Sequence, residues 1–130
     1  NGAIQQEIGL QVALARAQLG FALHRLGRNY EAIKELRMAY EKLPTPSILH
    51  NLGVAHQAVD NHPMAVDLFR RSLAGDPLNG NGHVRLVQSL LALGQKTIAE
   101  QALTRLESLA RAHDSLKEAE RTTRALLQKG

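Results

Sequence analysis

The side chains able to do chemistry are few and scattered. The chain has no cysteine, which removes disulfides, thiolate nucleophiles and thiolate metal ligands. Its histidines are His24, His50, His56, His62, His83 and His113, and no two lie four apart on one helix. A metal ion needs ligands converging on one point, and His24 with His50 would supply only two. Carboxylates such as Glu31, Glu35, Asp60 and Asp67 fall at ordinary surface positions of helices. Asn79-Gly80-Asn81-Gly82 follows no strand and lacks a P-loop lysine, so it reads as a flexible link between helices. Nucleophile elbows and helical His-Glu-x-x-His motifs are absent. The sequence therefore nominates no catalytic residue, no metal site and no cofactor, and it reads as a non-enzyme.

The bulk properties point the same way. The 130 residues fit one domain, and 44% of them are hydrophobic while only 3% are aromatic, so a core must be built from Leu, Ala, Val and Ile. The net charge is +4, but 16 Lys and Arg are interleaved with 12 Asp and Glu. That pattern describes a solvated surface better than a nucleic-acid footprint. No apolar run approaches the ~20 residues of a membrane span, so membrane insertion is not expected, and no signal peptide is visible. The first residue is Asn1 rather than Met. The expectation is a cut fragment or processed product, cytoplasmic, or periplasmic or secreted if an N-terminal signal has been removed.

The elements that must position any binding residues are announced by internal repetition. Leu19-Gly20 recurs as Leu52-Gly53 and again as Leu86-Val87. An alanine follows at a fixed distance in each unit (Ala32, Ala65, Ala99), then a large apolar residue (Leu36, Phe69, Leu103), and Pro44 and Pro77 close the first two units. Each unit reads as two helices. Ile4, Ile8, Val12, Ala15, Leu19 and Leu23 step by three or four, as one helical stripe must. Gly27 suits the left-handed residue that ends this helix, and Asn29 the next N-cap. Pro63 marks the start of the second unit's second helix. Thr97 with Glu100, and Ser115 with Glu118, have the spacing of capping boxes. No strand pattern is present.

At these positions the chain resembles the tetratricopeptide repeat (TPR) family. The resemblance covers roughly residues 13–112. It departs from the family pattern at Val87 and Arg111, and at the aromatic slot, which holds Arg16, Leu49 and His83. It implies an all-α, right-handed α-solenoid of three helix–turn–helix repeats plus a C-terminal capping helix. The expected divisions are an N-terminal helix extension over 1–12, repeats over 13–45, 46–79 and 80–113, and a capping helix over 114–130. Small residues such as Gly20, Gly53, Ala32 and Ala65 would let paired helices approach closely.

The resemblance also implies a function. In the family, the first helices of successive units line a concave groove that receives a peptide or helix of a partner. Carried over by position, the groove residues are Leu14, Phe21, His24, His50, Asn51, Val54, Gln57, Asn81, Arg85, Gln88 and Leu91. Phe21, Val54 and Leu91 would be apolar anchors. Asn51, Gln57, Arg85 and Gln88 would orient polar groups. One subfamily clamps a terminal carboxylate with five residues; only Asn51 and Arg85 match, so a full clamp is not expected. The sequence thus predicts a protein-interaction scaffold or adaptor whose partner it does not name. Self-association as a homo-oligomer through the solenoid ends is the alternative reading, with residues 3–12 as the contact. RNA binding ranks last, because the groove offers one aromatic and few cations.

Overall fold

The computed structural model describes residues 1–129. Among them the chain forms helices α1 (Gly2–Arg25), α2 (Asn29–Lys42), α3 (Pro46–Ala58), α4 (His62–Gly75), α5 (Gly80–Ala92), α6 (Lys96–Ala112) and α7 (Lys117–Lys129). A single 3-10 turn, Asp114–Leu116, leads into α7. No strand occurs among the described residues, and no described helix is long and apolar enough to cross a membrane. Gly130, the last residue of the expected capping helix, lies outside the described residues.

The helices pack as antiparallel pairs, α1 on α2, α3 on α4 and α5 on α6, with α7 lying against both α5 and α6. The repeated small residues explain the pairing. Ala32, Ala65 and Ala99 are all fully buried, as are the large residues Leu36 and Phe69 beneath them. A Cβ on Gly20 would lie 2.5 Å from Leu36 Cγ, and one on Gly53 would lie 2.8 Å from Phe69 Cε1. Only glycine permits these approaches. In the third unit Val87 replaces the glycine and is itself core, 1% exposed.

Two apolar clusters join successive pairs along the stack, and a third, Leu106, Ala110, Leu116 and Ala119, seats α7 on α6. Leu23, Leu36, Ile48, Leu52 and Leu68 join the first two pairs. Val54, Phe69, Leu86, Val87 and Leu90 join the second to the third, and Leu127 of α7 closes that cluster. The places where the family carries an aromatic residue are filled otherwise. Arg16 reaches Glu35 at 2.8 Å, Leu49 is buried, and His83 Nε2 contacts the Pro77 carbonyl at 2.8 Å.

The turns correct several capping expectations. Gly27 and Gly94 have φ of +80° and +72°, and Asp60 at the equivalent place has φ 61°. A left-handed residue there puts the next N-cap immediately after it, on Arg28, Asn61 and Gln95. Asn29 is therefore not a cap: its side-chain carbonyl meets His24 Nδ1 at 2.6 Å, and its amide donates to the Gly27 carbonyl. Of the three caps only Asn61 accepts with its side chain, from the Met64 N–H. The expected box of Thr97 with Glu100 does not form, since Gln95 caps α6 without a side-chain bond. Ser115 lies inside the 3-10 turn rather than at a cap. Asn79–Gly82 is likewise not a loose linker. Asn79 caps α5 by accepting from the Gly82 N–H at 3.2 Å, and the glycines form its first turn. They sit close to their neighbours: a Cβ on Gly80 would meet Ala119 at 3.2 Å, and one on Gly82 would meet Leu73 at 3.1 Å.

Candidate functional site

The first helices of the three pairs, α1, α3 and α5, stand side by side, and the sequence-nominated residues lie on them in three groups. The first group surrounds a hollow of about 560 Å3 between α1 and α3. Leu14 and Phe21 from α1 and Asn51 from α3 are among its walls, with Ala17, Leu43 and Ile48 completing its apolar surface. Phe21 is 41% exposed and Leu14 45%, so both present ring or alkyl surface to anything that enters. The Arg25 guanidinium lies 5.8 Å from the centre of the Phe21 ring and covers part of it, within cation–π range. Thr45 and Ser47 place hydroxyls at the hollow's edge. Thr45 is tied down as the α3 N-cap, accepting from the Ile48 N–H at 3.2 Å.

The second group is polar and sits where α3 faces the start of α5. His50 Nδ1 lies 3.2 Å from the Asn79 side-chain amide, and Nε2 lies 3.3 Å from that of Asn81. Asn79 already uses its carbonyl oxygen to cap α5, so its NH2 donates to Nδ1. Burial lowers the His50 pKa from the usual histidine value, the nearby Arg85 charge adds to that effect, and Asp76 opposes it. The ring is consequently held neutral and ordered, 5.6 Å from the Phe69 ring it leans on.

The third group is a chain of hydrogen bonds between α3 and α5. Arg85 Nη1 donates to Gln57 Oε1 at 2.8 Å. The Gln57 amide donates in turn to the Arg85 carbonyl at 2.9 Å and to Ser89 Oγ at 2.8 Å. Ser89 is fully buried, and its hydroxyl lies 3.0 Å from His62 Nδ1. Gln57 is thus committed to holding α5 on α3 and is not free to orient a partner. Arg85 keeps its second terminal nitrogen, while its Nε is buried without a partner. No carboxylate among the described residues pairs with Arg85, and burial lowers its pKa. A half-buried guanidinium with no counter-charge favours an incoming carboxylate.

The remaining nominated residues fall elsewhere. Val54 is only 6% exposed and belongs to the second core cluster, so it is not a groove anchor. Leu91 packs partly against that same cluster. His24 is occupied by Asn29, and Gln88 is exposed on α5. Val54 and Phe21 hold the same repeat position, but Val54 packs against Leu86 and Val87 of α5 whereas Phe21 lines the open hollow facing α3. The contributors that sequence reasoning missed are Leu43, Thr45, Ile48, Asn79 and Ser89. Thr45-Pro46 and Asn79 carried N-cap signals that pointed to two of them.

This arrangement of paired helices is the tetratricopeptide repeat fold. Residues 47–75, spanning α3 and α4, match the tetratricopeptide repeat family model. None of the curated proteins compared with the chain matches it. Solved structures do. A chain of a T3SS complex from Aeromonas hydrophila superposes with a TM-score of 0.82 at 21% identity, covering 97% of this chain and 85% of that one. The Arabidopsis OM64 TPR domain gives 0.76 at 12% identity, over 93% and 98%. The first TPR of Spaghetti (RPAP3), bound to the HSP90 peptide SRMEEVD, gives 0.74 at 20% identity, over 92% and 95%. Residues 47–75 therefore match a tetratricopeptide repeat, and the chain as a whole has the tetratricopeptide repeat fold, an all-α solenoid.

Proposed function

We propose that the chain is a single protein-interaction domain that captures an extended segment or helix of a protein partner along α1, α3 and α5. Its repeats are taken as 13–45, 46–79 and 80–113, after an extension over 1–12 and before a cap over 114–130. The observation that carries the reading is the hollow between α1 and α3, where Phe21 and Leu14 stay exposed beside Asn51. An aromatic residue half open in a concavity is the usual form of a binding hot spot. The peptide-bound relative supports the same mode of action, since a domain of equal architecture there holds a short acidic peptide. A partner would seat an apolar side chain against Phe21 and Leu14, with Asn51 satisfying its backbone. Arg85 and the Asn81 amide would meet a carboxylate further along. The clamp of the carboxylate-binding subfamily is not reproduced, since Ala17, Phe21 and Asn81 occupy three of its five places.

A displayed random-peptide library selected against the wild-type chain tests this. Selected peptides are expected to lose about fivefold or more in affinity for Phe21→Ala, the loss of more than ~1 kcal/mol that defines a contributing residue. Far-UV circular dichroism should be unchanged. Equal affinities for both forms would remove the hollow from the site.

A further inference from the structure

One face of α1 is apolar and bare. Ile4, Ile8, Val12, Leu19 and Leu26 are between 47% and 71% exposed, and Ala15 and Ala22 are exposed between them. The steps from Ile8 to Leu26 are alternately four and three residues, so the stripe is an uninterrupted a/d seam with no charge in it. It is not the packing face, which Ala13, Gly20 and Leu23 form against α2. Nor is it the groove face, which carries Leu14 and Phe21.

The repeats show how unusual this is. The positions matching Ala15, Leu19 and Ala22 in the second unit are Ile48, Leu52 and Ala55, all 5% exposed or less beneath α2. In the third unit Leu86 and Ser89 are buried in the same way. The α1 stripe is therefore the kind of surface that this architecture covers with a helix. Its side chains leave bare roughly 500 Å2, the upper range for a monomer.

We propose that a second copy of this chain covers the stripe, with the two α1 helices antiparallel about a two-fold axis through Ala15. The stripe is complementary to its own reverse. Ile4 meets Leu26 of the other copy, Ile8 meets Ala22, Val12 meets Leu19, and Ala15 meets Ala15. Apolar residues face one another in every layer, Ile8 opposite the small Ala22, and the alanines at the centre allow close approach in an isologous contact. An antiparallel pair also brings like flanks together, so Glu7 of each copy approaches Arg25 of the other. Two copies bury at most about 1,000 Å2 through the stripes, the size of a weak, concentration-dependent dimer. The α1–α3 hollow opens on a different side of α1, and only Arg25, beside Phe21, lies near both surfaces.

Sedimentation velocity of the whole chain at high micromolar concentration tests the proposal. The expected particle has twice the chain's 14.2 kDa. Leu19→Glu should raise the dimer dissociation constant at least tenfold and leave the circular dichroism spectrum unchanged. Glu7→Arg and Arg25→Glu should each weaken association, and the double variant should restore it. Because the chain has no cysteine, Ala15→Cys should form a disulfide-linked dimer on mild oxidation, while Leu10→Cys should not. A wild-type monomer at that concentration overturns the proposal. So does a dimer indifferent to Leu19→Glu, or one that Ala15→Cys does not crosslink.

Discussion

The same substitution at two glycines of α1 should act in opposite directions. At Gly20 an added methyl would sit 2.5 Å from Leu36 Cγ, 2.9 Å from Leu36 Cδ2 and 3.3 Å from the Ala32 carbonyl oxygen. Leu36 is fully buried, and the nearest atom is its branch carbon rather than a mobile end, so relief requires α1 and α2 to move apart. Overpacking of this kind costs about 1–3 kcal/mol, and the contact with backbone places it near the top. Replacing a helical glycine by alanine returns about 1 kcal/mol. Gly20→Ala should therefore destabilise by about 2 kcal/mol, lowering Tm by roughly 8 °C for a chain of this length. At Gly9 a methyl would meet nothing within 4 Å. Gly9→Ala keeps only the propensity gain, up to about 1 kcal/mol, and should raise Tm by roughly 3 °C. Thermal melts of both variants followed by circular dichroism give the comparison. Equal shifts, or a neutral Gly20→Ala, would refute the helix pairing and its register.

Other consequences are open to measurement. Asp60 holds a left-handed φ where the other units have glycine, so Asp60→Gly should raise stability by about 0.5–1 kcal/mol in denaturant melts; no gain would show that the turn is unstrained. The Thr123 hydroxyl is fully buried with no hydrogen-bond partner, so Thr123→Val should stabilise by about 1 kcal/mol, and a loss would reveal a bond unaccounted for. His50 and His56 both have pKa values lowered first by burial, then by Arg85 and Arg37 respectively. The folded state therefore prefers them neutral. Their contribution is complete above the ordinary value of 6.5 and is lost as pH falls below it toward their folded values. Tm should drop between pH 7.5 and 5.5, and His50→Gln should flatten part of that drop; a flat wild-type profile would contradict it.

Much of the fold was legible because its repeated signal is one of size rather than chemistry. Glycine or alanine at five buried positions, and large residues opposite them, leave a sequence register that survives low identity. What was illegible depends on through-space neighbours. Phe21 and Val54 hold one repeat position, yet the first lines an open hollow beside α3 and the second is packed into core against α5. Gln57 and Arg85 look like groove donors in sequence, and only the geometry shows them bonded to each other. The caps at Asn29, Thr97 and Ser115 failed because spacing does not report φ. The left-handed residues Gly27 and Gly94 place the N-caps on Arg28 and Gln95, ahead of Asn29 and Thr97. Gly80 and Gly82 read as flexible in sequence, whereas they form the first turn of α5 and lie close to Ala119 and Leu73, far away in sequence or on the previous helix.

The central claim, that a partner segment docks between α1 and α3, is tested most directly by NMR. A library-selected peptide would be titrated into methyl- and amide-labelled chain. The largest shifts are expected at Leu14, Phe21, Ile48 and Asn51, with smaller ones reaching Arg85. Shifts confined to the outer face, around Tyr40, Met64 and Arg71, would contradict the claim.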